Sequence, residues 1–103
     1  MPKIAAVATL TAKPGKRDEL VEALSEMIDT AEGEEGTEVY ALHLSNDEPE
    51  VVRFYELYAD KAALDVHRHS DGMKAMGPKL AGLLDGPPVV QRMTPVRAKG
   101  ISV

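Results

Sequence analysis

Thr37–Tyr58 reads TEVYALHLSNDEPEVVRFYELY, and this stretch decides the fold. Two runs rich in β-branched and aromatic residues, Thr37–Ser45 and Val51–Tyr58, flank Asn46-Asp47-Glu48-Pro49, a polar segment with the composition of a hairpin loop. In the first run Tyr40, Leu42 and Leu44 alternate with Val39, Ala41 and His43; in the second Val52, Phe54 and Tyr58 alternate with Val51, Tyr55 and Leu57. An antiparallel strand with one solvated face would alternate polar and apolar residues. These strands are apolar on both faces. Helices should therefore cover one side of the sheet and a second body the other, most simply another copy of the chain.

Upstream, Ile4–Ala12 (IAAVATLTA) is a short apolar run closed by Pro14-Gly15, the punctuation expected after a strand. From Lys16 the period lengthens. Leu20, Leu24, Met27, Ile28 and Ala31 fall on one helical face with acids on the other, and Asp18 and Glu19 sit in the first turn, where the helix dipole favours them. Gly33-Glu34-Glu35-Gly36 ends that helix, Gly36 suiting a tight turn. Downstream, Asp60 is the N-cap of a short helix through His69, and Ser70 that of another. Met73, Met76, Leu80, Leu83 and Leu84 share one helical face, and Pro78 within that pattern predicts a kink, or a break with a fresh start. Gly86-Pro87-Pro88 precedes a last strand, Val89–Val96, which Pro95 assigns to an edge. The order β-α-β-β-α-β, over one domain spanning residues 1–103, is the split βαβ pattern of an α+β ferredoxin-like sandwich.

The 103 residues carry 12 Lys and Arg against 17 Asp and Glu, a net charge of −5 that offers no footprint to nucleic acid or an anionic membrane. With no cysteine, disulfides, thiol nucleophiles, thiolate metal sites and Fe–S clusters are excluded together. No apolar run approaches the ~18 residues of a membrane span, and no export signal is visible, so the expected location is cytoplasmic. Glycine-rich dinucleotide and Walker loops, the nucleophile elbow and HExxH are absent, which removes hydride transfer, phosphoryl transfer and serine hydrolysis. Charge is uneven: residues 18–38 hold nine acids and no base, residues 61–99 seven bases and three acids. That pattern fits a solvated helix face, or a contact between oppositely charged regions of two subunits.

Chemistry has few residues to draw on. Aromatics number one Phe and three Tyr, with no Trp. Two histidines two apart on a helix point about 200° from each other, so His67 and His69 cannot converge on one ion, and no metal site is expected. His67 shares a stripe with Ala63 and Val66 and points inward, as a core histidine with a partner or as a site residue; His69 falls on the surface. His43 lies with Val39 and Ala41 on one strand face, within reach of a dimer interface. Arg53 and Glu56 occupy opposite faces of their strand, and each needs a partner. Met27, Met73 and Met76 have the spacing of core filler, though methionine also lines adaptable pockets.

The segment Glu56-x-Tyr58-x-Asp60-x-x-Ala63-x-x-x-His67-x-x-Ser70 resembles the signature of the antibiotic biosynthesis monooxygenase (ABM) domain, a strand ending Glu-x-Trp/Tyr followed by a helix carrying His and then Ser or Thr. Lys13-Pro14-Gly15-Lys16, Gly36-Thr37-x-x-Tyr40 and Gly86-Pro87-Pro88 match the same family in order, so the likeness covers about residues 3–97. The resemblance implies a dimeric α+β barrel, two ferredoxin-like protomers packed sheet to sheet, with a ligand in each between sheet and helices. It implies a cofactor-independent oxygenase of a small quinol-, anthrone- or enol-like substrate, with O₂ as co-substrate. His67 would be the general base, and Tyr40, Phe54, Glu56, Tyr58 and Met76 the substrate-binding residues.

Other branches of the family imply alternatives: processing of a small carbonyl or signalling metabolite, as for autoinducer-2, or a stress-associated dimer that binds without turnover. Haem-degrading members carry Asn, Trp and His where this chain has Ala8, His67 and Gly77, so haem is not expected. Relatives often have Trp at Tyr58, and His followed by an aromatic at Gly72-Met73. Those departures remove aromatic surface and favour a small ligand.

Overall fold

A computed structural model describes residues 2–103. Strand β1 (Ile4–Thr11) is followed by helix α1 (Arg17–Glu32), strands β2 (Thr37–Leu44) and β3 (Val51–Tyr58), helices α2 (Lys61–Arg68) and α3 (Asp71–Leu80), and strand β4 (Val89–Met93). The strands form one antiparallel sheet in the order β2-β3-β1-β4, the ferredoxin-like arrangement.

Residue parity sorts the sheet. Even-numbered residues of β1 and β3, among them Ala8, Leu10, Val52 and Phe54, join Leu20, Leu24 and Met27 of α1 and Met76 and Leu80 of α3 in the core. The other face, with Val7, Val39, Ala41 and Tyr55, bears no helix, and on β4 it leaves Val89 and Met93 exposed. Arg53 on this face pairs with Glu48 at 3.3 Å, and His43 is exposed, its Nδ1 3.1 Å from the Ala41 carbonyl. The acidic α1 and the basic end of α3 meet within the chain, through Lys79 and Glu26. Among the described residues no helix is long and apolar enough to cross a membrane.

The caps fall where the sequence puts them. Asp60 Oδ1 accepts from the Ala63 N–H at 2.8 Å and Ser70 Oγ from the Met73 N–H at 3.2 Å, each satisfying a free first-turn donor. Arg17, at the start of α1, donates to the Ser45 and Glu48 carbonyls at 3.0 and 3.2 Å and pins the hairpin loop. Gly36 serves proximity more than turning: a Cβ there would collide with Ala63, so its absence lets α2 lie against the start of β2. Gly72 plays the same part between α3 and Thr30 of α1.

Two expectations need correction. Helix α3 runs through Pro78 to Leu80 without a new start. The proline lies in the last turn, where it removes one hydrogen bond, and Gly77 before it has no Cβ to crowd the ring. Leu83 and Leu84 are therefore outside the helix. The Leu83 N–H donates to the Leu80 carbonyl at 2.9 Å, and Leu84 bridges to Ala12 beyond β1. The last strand stops at Met93, short of Val96, because Pro95 has no N–H for the ladder; β4 is an edge strand, as Pro95 requires.

Candidate functional site

The helix-facing side of the sheet is built in cross-strand rows. One row runs Arg92 (β4), Ala6 (β1), Glu56 (β3), Tyr40 (β2); the next runs Val90, Ala8, Phe54, Leu42. The alanines on the central strand leave space that the flanking side chains do not fill. The result is a chamber of about 390 Å³ between sheet and helices, floored by Ala6 and Ala8 and roofed by Leu24 and Met27 of α1, Leu64 of α2 and Met73, Met76 and Leu80 of α3. Its size lies within the range of small-molecule sites, about 300–1,000 Å³.

The polar end is set by α2. His67 is buried, and its Nδ1 lies 2.8 Å from Glu34 Oε1, with side-chain exposures of only 4% and 11%. The same Glu34 oxygen accepts from Thr37 Oγ1 at 3.0 Å. A bulge between Thr37 and Val39 places Thr37 opposite Tyr58, on the helix-facing side of the sheet, where it can reach Glu34. The carboxylate fixes the imidazole with Nδ1–H as donor, and Nε2 has no protein partner among the described residues. Tyr40 packs against both Phe54 and His67, with ring centroids 4.5 and 4.9 Å apart.

Glu56 is buried and accepts a hydrogen bond from the Tyr58 hydroxyl. Burial pushes its carboxyl above the usual range, an effect offset in part by that bond and by the nearby His67 and Arg92. Burial also raises Tyr40, helped by the charges of Glu56 and Glu34, so Tyr40 stays a protonated hydroxyl donor. Tyr58 is raised by burial and by its bond to Glu56.

Of the residues singled out in the sequence, Tyr40, Phe54, Glu56, His67 and Met76 line the chamber together. Tyr58 does not: it is fully buried behind the wall, 5.5 Å from the His67 ring, and its hydroxyl is committed to Glu56. His69 is exposed, with Nδ1 2.9 Å from the Asp65 carbonyl, and takes no part. Glu34, Arg68 and Arg92 escaped sequence reasoning. Glu34 looked like part of a helix end. Arg92 could have been found by parity from Val90 had the β1–β4 register been known.

The fold is thus an α+β ferredoxin-like one, with a histidine–carboxylate pair at the end of an apolar chamber. The antibiotic biosynthesis monooxygenase model matches residues 3–79, and the chain belongs to that family. No curated protein gives a significant match. Protein SO0527 from Shewanella oneidensis is similar at 32% identity, over 94% of both chains, with a TM-score of 0.87. A candidate antibiotic biosynthesis monooxygenase from Caulobacter crescentus is 32% identical over 93% of this chain and 92% of that one, again with a TM-score of 0.87. Rv0793 from Mycobacterium tuberculosis is 28% identical over 93% and 97%, with a TM-score of 0.85. The chain thus stands among monooxygenase-like proteins of this fold.

Proposed function

We propose that the chain is a cofactor-independent monooxygenase that oxidises a small quinol-, anthrone- or enol-like substrate with O₂, His67 acting as general base. The supporting observation is the bond from His67 Nδ1 to Glu34, which leaves Nε2 as the basic nitrogen of a residue lining the chamber. A bound hydroxyl gives its proton to Nε2, and the imidazolium is stabilised by Glu34. The resulting electron-rich anion passes one electron to O₂. Recombination of the two radicals forms the new C–O bond, and loss of water completes the balance, quinol plus O₂ giving hydroxyquinone plus water. Tyr40 donates a hydrogen bond to the oxyanion, Phe54 and Met76 hold the apolar body, and Glu56 borders the polar end. The helix-free sheet face, with exposed Val89 and Met93, supports a homodimer packed through it.

Oxygen uptake with purified protein and a menadiol and anthrone panel tests the chemistry. Catalysis above the spontaneous rate is expected, with a loss of about 10²–10⁴-fold in His67→Ala. A rate no better than the spontaneous one, or unchanged by the substitution, would refute the proposal. Turnover of a carbonyl metabolite without O₂ would point to isomerisation instead.

A further inference from the structure

Arg92 has no part in the chemistry above. It lies outside residues 3–79, the part matched by the family, yet the sheet register sets it in the polar row, one strand from Ala6 and two from Glu56. Arg92 is an exposed residue that lines the chamber, and among the described residues it enters none of the ion pairs. A guanidinium offers a rigid fork of donors that matches a carboxylate. Here that fork borders a lining that is otherwise largely apolar.

Three further observations define what would occupy it. Arg68 of α2 lines the same chamber, its guanidinium 3.7 Å from Asp65, so it adds positive charge while leaning towards its own helix neighbour. The one carboxylate in the lining is Glu56, which is bonded to Tyr58 and driven towards its neutral form by burial. Two arginines against one carboxylate give the lining a net positive charge in a chain whose net charge is −5, a balance that favours an anion. Finally, Ala6 puts no bulk between Arg92 and Glu56, and Ala8 leaves a flat apolar floor between Phe54 and Val90.

We propose that the ligand is a small, planar aromatic monocarboxylic acid carrying a ring hydroxyl, with its carboxylate on Arg92 and its ring over Ala8. One free fork suits one carboxylate better than a dianion. In the row Arg92–Ala6–Glu56–Tyr40, Glu56 lies between Arg92 and the tyrosine that packs against His67. An acid anchored at Arg92 directs its hydroxyl past Glu56 towards His67. This placement rests on the chamber being the substrate site, but not on any oxygenase chemistry there.

The test is equilibrium binding without turnover, by titration calorimetry with 6-hydroxy-2-naphthoate, whose hydroxyl and carboxylate lie at opposite ends of the ring system, and its neutral carboxamide. The acid is expected to bind at least tenfold more tightly than the amide. Arg92→Gln should abolish that preference, and Arg92→Lys should retain part of it, since the charge stays while the fork is lost. Circular dichroism establishes that both variants are folded. Equal affinities for acid and amide, no binding of either, or a preference that survives Arg92→Gln would overturn the proposal. A protein inert towards O₂ that still selects the acid through Arg92 would refute the oxygenase and keep the acid site. An active oxygenase equally fast on neutral quinols and their acids would do the opposite.

Discussion

Gly36→Ala tests whether the close approach of α2 to β2 holds the histidine in place. The glycine has no positive φ, so alanine can adopt its backbone and should add about 0.4–1 kcal/mol through the unfolded state. Against that, the new Cβ would overlap the Ala63 Cβ and come within 3.3 Å of its Cα. Restoring ordinary carbon separations of about 3.5–4.0 Å forces α2 outward, and overpacking of this kind costs about 1–3 kcal/mol. The net expectation is a loss of about 1–2 kcal/mol, or a Tm lower by about 4–16 °C at about 4–8 °C per kcal/mol. His67 lies one helical turn beyond Ala63, so the same movement stretches its 2.8 Å contact with Glu34. Ala63→Gly removes the obstructing methyl at a helix cost of about 1 kcal/mol. The double variant should then lie within about 1 kcal/mol of the parent, a coupling of about 2 kcal/mol where independent sites would add to about 2–3 kcal/mol. Urea denaturation of the four proteins closes the cycle, and the imidazole NMR signals report the His67 contact. A Gly36→Ala protein as stable as the parent, or additive losses in the double variant, would refute the reasoning.

Glu56→Gln keeps an acceptor for Tyr58 and removes a buried charge. Because the folded-state pKa is raised, the folded protein binds more protons than the unfolded chain as pH climbs through that range, and stability falls. The variant should be more stable than the parent at neutral pH, with the gap closing below the reference value of 4.5; a gap independent of pH would contradict this. Ser70→Ala removes an acceptor for the Met73 N–H and a donor to the His67 carbonyl at 2.9 Å, so denaturation should show a loss of about 1–2 kcal/mol, and no loss would remove the cap argument. Ala8→Leu places a large side chain on the chamber floor; the fold should survive while naphthoate binding disappears in calorimetry, and undiminished binding would place the ligand elsewhere.

What could be foreseen in the sequence was local. The bounds of β3 follow from a β-branched and aromatic run set off by a polar loop, and the caps at Asp60 and Ser70 from short-range hydrogen bonds; these hold. The inward turn of His67 holds, but not the stripe that predicted it: Val66 is exposed, and the buried face of α2 is formed by Leu64 and His67. Pro78 misled because its cost depends on where the helix ends, which tertiary contacts decide. Glu34 and His67 are 33 residues apart, and their meeting depends on the bulge at Thr37 and the bare Cα of Gly36. No spacing rule encodes that. Arg92 is similar: its neighbours in the row come from three different strands.

The chamber owes its volume to side chains that are missing from β1, a strand held by hydrogen bonds on both edges. Space of this origin needs no hinge to open and no ligand to form it. It can also be resized by a methyl group at a time: valine for alanine at position 6 or 8 would narrow one end and leave α1, α2 and α3 packed as before. Chains that superpose closely on this one can therefore hold differently sized guests, and the identity of two residues on one strand says more about the guest than the likeness of the folds.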